Sequence, residues 1–225
     1  MFIIQAGFFV ILQSIMRKLL ICICTAVLFS VNTRAQENIK LKAGDLIFQN
    51  LDCGPLCDAI NAVTQGYQGN KFSHMGMVLL RNDSTLVIEA SGKNVHLTPL
   101  KVFLAKSSHP HYLGRLKPAY QKLIPSALSF AMQQMGVPYD DEYLYNNGKY
   151  YCSELIYDAF KAANHDQPFF QLFPMTYKEP GSGAFFPVWK AYFDNLKMDV
   201  PEGKPGCNPG GISLSDKIDI LGQYK

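Results

Sequence analysis

Three residue types that can cooperate in acyl transfer lie in three separate patterns of this chain: Cys152 in "KYYCSELIYDAF", His74 in "FSHMGMVLL" and Glu89 in "TLVIEA". A thiolate attacks a carbonyl, an imidazole beside it takes and returns the proton, and a carboxylate fixes the tautomer and orientation of that imidazole. Cys152 opens a predicted helix, where free backbone N–H groups and the positive end of the dipole favour thiolate over thiol and are placed to hold an oxyanion. Tyr151 and Ser153, its neighbours, are candidates for substrate or oxyanion contacts, with packing as the plainer role for the tyrosine. Each member also has a structural reading: a buried thiol as core filler, a satisfied histidine, a solvated strand glutamate. Cys57, in the first turn of another predicted helix, is a rival nucleophile.

The elements that must position these side chains begin with a hairpin. "FSHMGMVLL" and "TLVIEA" are β-rich runs around the polar turn "RNDS". With the turn centred on Asn82-Asp83, paired positions sum to about 165, setting Gly76 opposite Glu89 and His74 opposite Ser91. His74 and Glu89 are then diagonal neighbours on one face, with Gly76 leaving the path between them clear. An odd-length loop would send Glu89 to the opposite face.

Around that hairpin, "KLKAGDLIFQN" reads as an opening strand and "CGPLCDAINAVTQG" as a short helix with Pro55 at its first position. "NVHLTPLKVFL" and "HYLGRLKP" read as further short strands, "IPSALSFAMQQMG" and "YYCSELIYDAFKAAN" as helices. The aromatic, Gly/Pro-rich remainder shows little regular pattern. Strands first and helices after predict an α+β fold, an antiparallel sheet or small barrel packed against helices.

The N-terminal residues 1–35 read as an export signal, with the probable start at Met16, Arg17-Lys18 as the basic region, Leu19 to Phe29 as the apolar region and cleavage after Ala35. Neither of its apolar runs reaches the roughly 18 residues of a membrane-spanning helix, and no stable span is expected after cleavage. Cys22 and Cys24 each follow Ile, so a lipid-anchor signal is not indicated. Without this segment the formal charge falls from +3 to +3 − 3 = 0, which leaves no basic footprint for nucleic acid. Residues 36–225 suit a single domain in an exported, periplasmic or cell-envelope setting. There Cys53, Cys57 and Cys207 are candidates for disulfides, Cys207 clipping back to either of the others, and the pairing stays open. Cys53 and Cys57 have no second ligand pair at a zinc spacing, and "HPH" at 109–111 reads as a loop, so no metal site is predicted.

"GDLIFQ", "FSHMGMV" followed by "VIEA", and "YYCSELI", in that order, resemble the permuted papain-like cysteine hydrolases of the YiiX/YebB-like group, relatives of the NlpC-type cell-wall amidases. The resemblance covers about Gly44 to Asn164, and His74 precedes Cys152 as circular permutation requires. It implies Cys152 as nucleophile, His74 as base and then acid, Glu89 as the third member, a sheet or small barrel against the cysteine-bearing helix, and no cofactor. It implies amide hydrolysis through a thioester, with peptidoglycan-type or other small peptide amides of the cell envelope as substrates. The Phe-, Tyr- and Met-rich composition, with "QPFFQLFPMTY" as a candidate apolar groove, gives a lipid amidase or acyltransferase as the enzymatic alternative. A non-catalytic binding module with a papain-like cleft, or a disulfide-stabilised structural protein, are the others.

Overall fold

A computed structural model describes residues 39–224, which fall within one compact unit; the expected export segment, with Met16 and Ala35, lies outside the described residues. Among the described residues there are eight strands: β1 (Leu46–Gln49), β2 (His74–Arg81), β3 (Ser84–Ser91), β4 (Asn94–Pro99), β5 (His111–Leu116), β6 (Phe173–Pro174), β7 (Pro205–Gly206) and β8 (Ile218–Tyr224). The helices are α1 (Pro55–Val63), α2 (Leu100–Leu104), α3 (Ile124–Gln133), α4 (Cys152–Ala163), α5 (Pro187–Asn195) and α6 (Pro209–Ser213). Six strands form one antiparallel sheet in the order β4-β3-β2-β1-β5-β8, and β6 and β7 pair separately. The large sheet is open, with β4 and β8 as its edges, so the expected α+β class holds and the small barrel does not.

Alternation along the strands builds two apolar layers. Leu46, Phe48, Met75, Met77, Ile88 and Ala90 face α3 and α4, whose Ala127, Ala131, Leu155, Ile156, Ala159 and Phe160 complete the main core. Ile47, Val78, Val87 and Leu113 turn the other way and are covered by Phe103 of α2. All four residues of β1 are buried because this central strand is packed on both faces.

Two segments depart from the reading of the sequence. "NVHLTPLKVFL" is a strand only as far as Pro99, after which Leu100–Leu104 is helical. Pro99 supplies no N–H to continue a ladder, and the turn that follows drops Phe103 onto the sheet. The C-terminal remainder is also more ordered than its composition suggests. In α5, Pro187 stands in the first turn and Trp189 and Phe193 pack with Tyr177 and with Ala59 of α1. β8 pairs with β5 from Ile218↔Leu116 to Tyr224↔His111 and becomes an edge of the main sheet. Of its seven residues only Ile218 is buried, so the alternation that announces a strand is nearly absent.

β1 begins at a buried charge. Asp45, 1% exposed, accepts a bidentate pair of bonds from Arg115 of β5, Nε to Oδ1 and Nη2 to Oδ2, both at 2.7 Å, and a third from the Lys42 N–H. Arg115→Met leaves that carboxylate without its counter-ion, and we expect a loss on the order of 3 kcal/mol. The check is urea unfolding, with a lower midpoint at an unchanged m-value.

Candidate active site

The hairpin has the register that its turn implies. β2 and β3 pair from Arg81↔Ser84 to Met77↔Ile88, with Asn82 at φ 52 in the turn. His74 and Glu89 therefore meet diagonally, His74 Nε2 lying 2.6 Å from Glu89 Oε2, with both residues buried. Gly76 is needed for a different reason from the one expected. A Cβ there would collide with Val87 and crowd Phe103, so the glycine makes room for the side chains that wall the imidazole. Phe103 lies against the His74 ring at 5.6 Å between centroids.

Glu89 is fully buried, and a lone carboxylate there would be strongly destabilising. Its second oxygen takes bonds from the Thr98 hydroxyl and the Lys106 ammonium, both at 2.5 Å, while His96 Nε2 stands 3.7 Å away. Burial opposes its ionisation, but the bond to His74, its charge, and the bonds from Lys106 and Thr98 prevail and hold the pKa at about 2. Thr98, not singled out from the sequence, is a diagonal neighbour of Glu89, since Glu89 pairs with His96 across β3 and β4. Lys106 arrives from the turn after α2 and has no local sequence signal.

Cys152 is the first residue of α4, with Tyr151 as an extended N-cap that offers no side-chain cap. The earliest N–H with a helical acceptor is that of Leu155, bonded to Tyr151 O at 3.2 Å, which leaves the preceding amides of the turn without one. The Cys152 thiol lies beside the His74 ring, near enough to influence its protonation. With Nε2 engaged by Glu89, Nδ1 is the nitrogen for the sulfur. Burial works against a charged ring, yet the Cys152 and Glu89 contacts outweigh it and lift the His74 pKa to about 9. The arrangement therefore favours the protonated form of His74.

The neighbours of the cysteine are occupied. The Tyr151 hydroxyl accepts the Cys207 N–H at 3.1 Å, and the Ser153 hydroxyl donates to the Cys207 carbonyl at 3.0 Å. These two side chains thus tie the segment after β7 to the start of α4. Cys207 is a free, buried thiol whose pKa is pushed up by burial; it does not clip back to Cys53 or Cys57, which are disulfide-bonded to each other across the first turn of α1. That bond also removes Cys57 as a rival nucleophile. Of the "HPH" residues, His109 pairs with Asp52 at 2.8 Å on the surface and His111 begins β5. Phe169 and Phe170 of "QPFFQLFPMTY" pack on Phe160 in the core, and only Met175, Thr176 and Tyr177 of that stretch reach the cavity beside Cys152.

An antiparallel sheet with a histidine on one strand and a cysteine heading the helix packed against it, in the order His then Cys, defines a permuted papain-like architecture. Residues 40–217 match the family described as permuted papain-like amidase enzyme, YaeF/YiiX, C92 family, and the chain belongs to that family. It is 30% identical over 128 residues to the uncharacterised protein YiiX of Escherichia coli strain K12, an alignment covering 54% of this chain and 58% of that relative's length. A crystal structure of yiiX from Escherichia coli O157:H7, described as a metalloprotein of DUF1105, superposes with a TM-score of 0.66 at 20% identity, over 82% of this chain and 98% of that one. Among the described residues of this chain, no three His, Cys, Asp or Glu side chains converge as a metal-binding group. No described helix is long and apolar enough to cross a membrane.

One further carboxyl lies close to the nucleophile. Glu154 is fully buried, its Oε1 accepts the Asn146 N–H at 2.9 Å, and its Oε2 has no partner. Burial, opposed by that bond and reinforced by Asp140 and Asp158, raises its pKa to about 8. The folded carboxyl binds its proton more tightly than the unfolded one, so its contribution to stability is full below its ordinary 4.5 and is lost as the pH rises to about 8. The stability of Glu154→Gln relative to the wild type should therefore improve steadily between about pH 5 and pH 8. Denaturant unfolding at a series of pH values reads this, and a pH-independent difference would contradict it.

Proposed function

We propose that the protein is a cysteine amidase in which Cys152, His74 and Glu89 act as a triad on small peptide amides, of the peptidoglycan type, after export to the cell envelope. The observation that carries this reading is the buried His74–Glu89 pair at 2.6 Å, with Cys152 beside the imidazole at the head of α4. The family supports cysteine hydrolase chemistry in general, and the export reading of residues 1–35 supports the location.

The Cys152 thiolate attacks the carbonyl carbon, and the new oxyanion sits among the free N–H groups at the start of α4. His74, as imidazolium, protonates the departing nitrogen; the C–N bond breaks, the amine leaves and an acyl thioester remains. His74, now neutral, takes a proton from water, whose oxygen attacks the thioester. Collapse of that intermediate releases the acid and restores the thiolate. Glu89 keeps the ring in place and stabilises its charge throughout.

Incubation with murein peptides and mass spectrometry of the fragments tests this. Cys152→Ala and His74→Ala should each lower kcat/KM by roughly 10³-fold or more with the circular dichroism unchanged; full activity in either variant overturns the assignment. Because His74 must be protonated to act as the acid, kcat/KM should hold through neutral pH and fall as the pH rises through about 9. In Glu89→Gln, which removes the carboxylate that helps raise this pKa, the fall should move to lower pH.

A further inference from the structure

The cavity beside Cys152 has a wall whose chemistry restricts what the thioester can carry. Ile60 and Val63 of α1, Met175, Tyr177, Tyr143 and Trp189 line it. No Lys, Arg, Asp or Glu lines it. Most of its polar groups are committed to the protein itself, the exceptions being the buried Tyr177 hydroxyl and Trp189 Nε1–H, neutral groups without a partner. Thr64 donates to the Ile60 carbonyl, Tyr151 and Ser153 bond the Cys207 backbone, and Asn208 Oδ1 caps α6 by accepting the Gly211 N–H. Trp189 and Tyr177 are held edge to face at 5.0 Å, and Tyr143 meets Trp189 edge to face at 5.5 Å, so the aromatic wall is braced by its own contacts.

Size narrows the occupant further. The space open to a water molecule is about 60 Å³. At roughly 10–15 Å³ per water centre, that corresponds to roughly four to six atoms of water size. A branched aliphatic side chain of about four carbons fits this figure, whereas a long acyl chain exceeds it. A carboxylate or ammonium seated here would lose its hydration with no counter-ion in the lining.

In the proposed mechanism the acyl half of the substrate stays bonded to Cys152 Sγ after the amine has gone. The substituent next to the scissile carbonyl is therefore within a few bonds of Sγ, and the cavity that Cys152 itself lines is where it must be housed during the second half of the reaction. Building on the amidase reading above, we propose that this cavity selects amides whose acyl-side residue carries an uncharged, apolar side chain of medium size, and excludes acidic, basic and long-chain acyl groups.

The test uses alkylation instead of turnover, so that it stands apart from the proposed hydrolysis. Acetylated aminoacyl chloromethyl ketones bearing Leu, Asp, Lys or a linear ten-carbon side chain are applied to the protein, and labelling of Cys152 is timed by mass spectrometry. The thiolate displaces chloride, a C–S bond replacing the C–Cl bond, and the rate reports how well each side chain sits. The Leu reagent should label at least about tenfold faster than the Asp, Lys and ten-carbon reagents. Val63→Arg, or Thr176→Arg at an exposed position on the same rim, should raise the Asp rate relative to Leu by a similar factor. Equal rates across the series, or faster labelling by a charged reagent, overturn the inference while leaving the amidase reading intact. Apolar preference without hydrolysis of any peptide upholds the cavity's selectivity and overturns the amidase reading.

Discussion

A carboxylate with no exposure to solvent organises this molecule. Glu89 cannot be buried alone, and its partners come from three places in the chain: His74 across the hairpin, Thr98 on the next strand and Lys106 beyond α2. Satisfying it fixes the register of β3 against both neighbours, because a slip of one residue would point the charge into the apolar layer under α4. The same bonds fix the imidazole. Order in the sheet and orientation of the proposed base are thus one constraint, and the short α2 is recruited to it through Phe103 and Lys106.

The second constraint is where α4 begins. Its inward side chains, Leu155, Ile156, Ala159 and Phe160, lock the helix onto the sheet, and that packing sets Cys152 at the His74 ring. A helix start is a poor place for an inert thiol and a suitable one for an anion, since the amides of the first turn have no helical acceptor. Glu154, two residues on, is buried without a cation and engages the Asn146 amide instead of the cysteine's surroundings. It anchors the loop that carries Tyr143 to the cavity, so the wall and the nucleophile hang from the same turn of helix.

What the sequence disclosed follows from how local each feature is. The β2–β3 hairpin is closed by a two-residue turn between β-rich runs, so its register, and with it the His74–Glu89 contact, was readable. α4 announces itself by apolar spacing. The membership of Cys152 in this site needed a resemblance spanning most of the chain, because 78 residues separate it from His74 and no spacing rule links them. Lys106, the Cys53–Cys57 pairing, β8 and the cavity wall were not readable. Each depends on partners far away in sequence or, for the disulfide, on a choice among thiols that spacing leaves open. The role of Gly76 was read from the gap it leaves, whereas the structure shows that Val87 and Phe103 need that gap.

The Cys207 peptide, gripped on one side by Tyr151 and on the other by Ser153, has a consequence for the order of assembly. Strands β1 to β4 are contiguous in the sheet and paired within the first part of the chain, so they can settle while the rest is still being made. The wall beside the sulfur waits for residues 205–209, and the far edge of the sheet for β8, whose partner β5 lies more than a hundred residues earlier. Base and carboxylate are in place early; the cavity closes last. A nascent or C-terminally clipped chain would therefore hold a histidine already poised and a thiol not yet enclosed, and reactivity and selectivity would be acquired at different moments of synthesis.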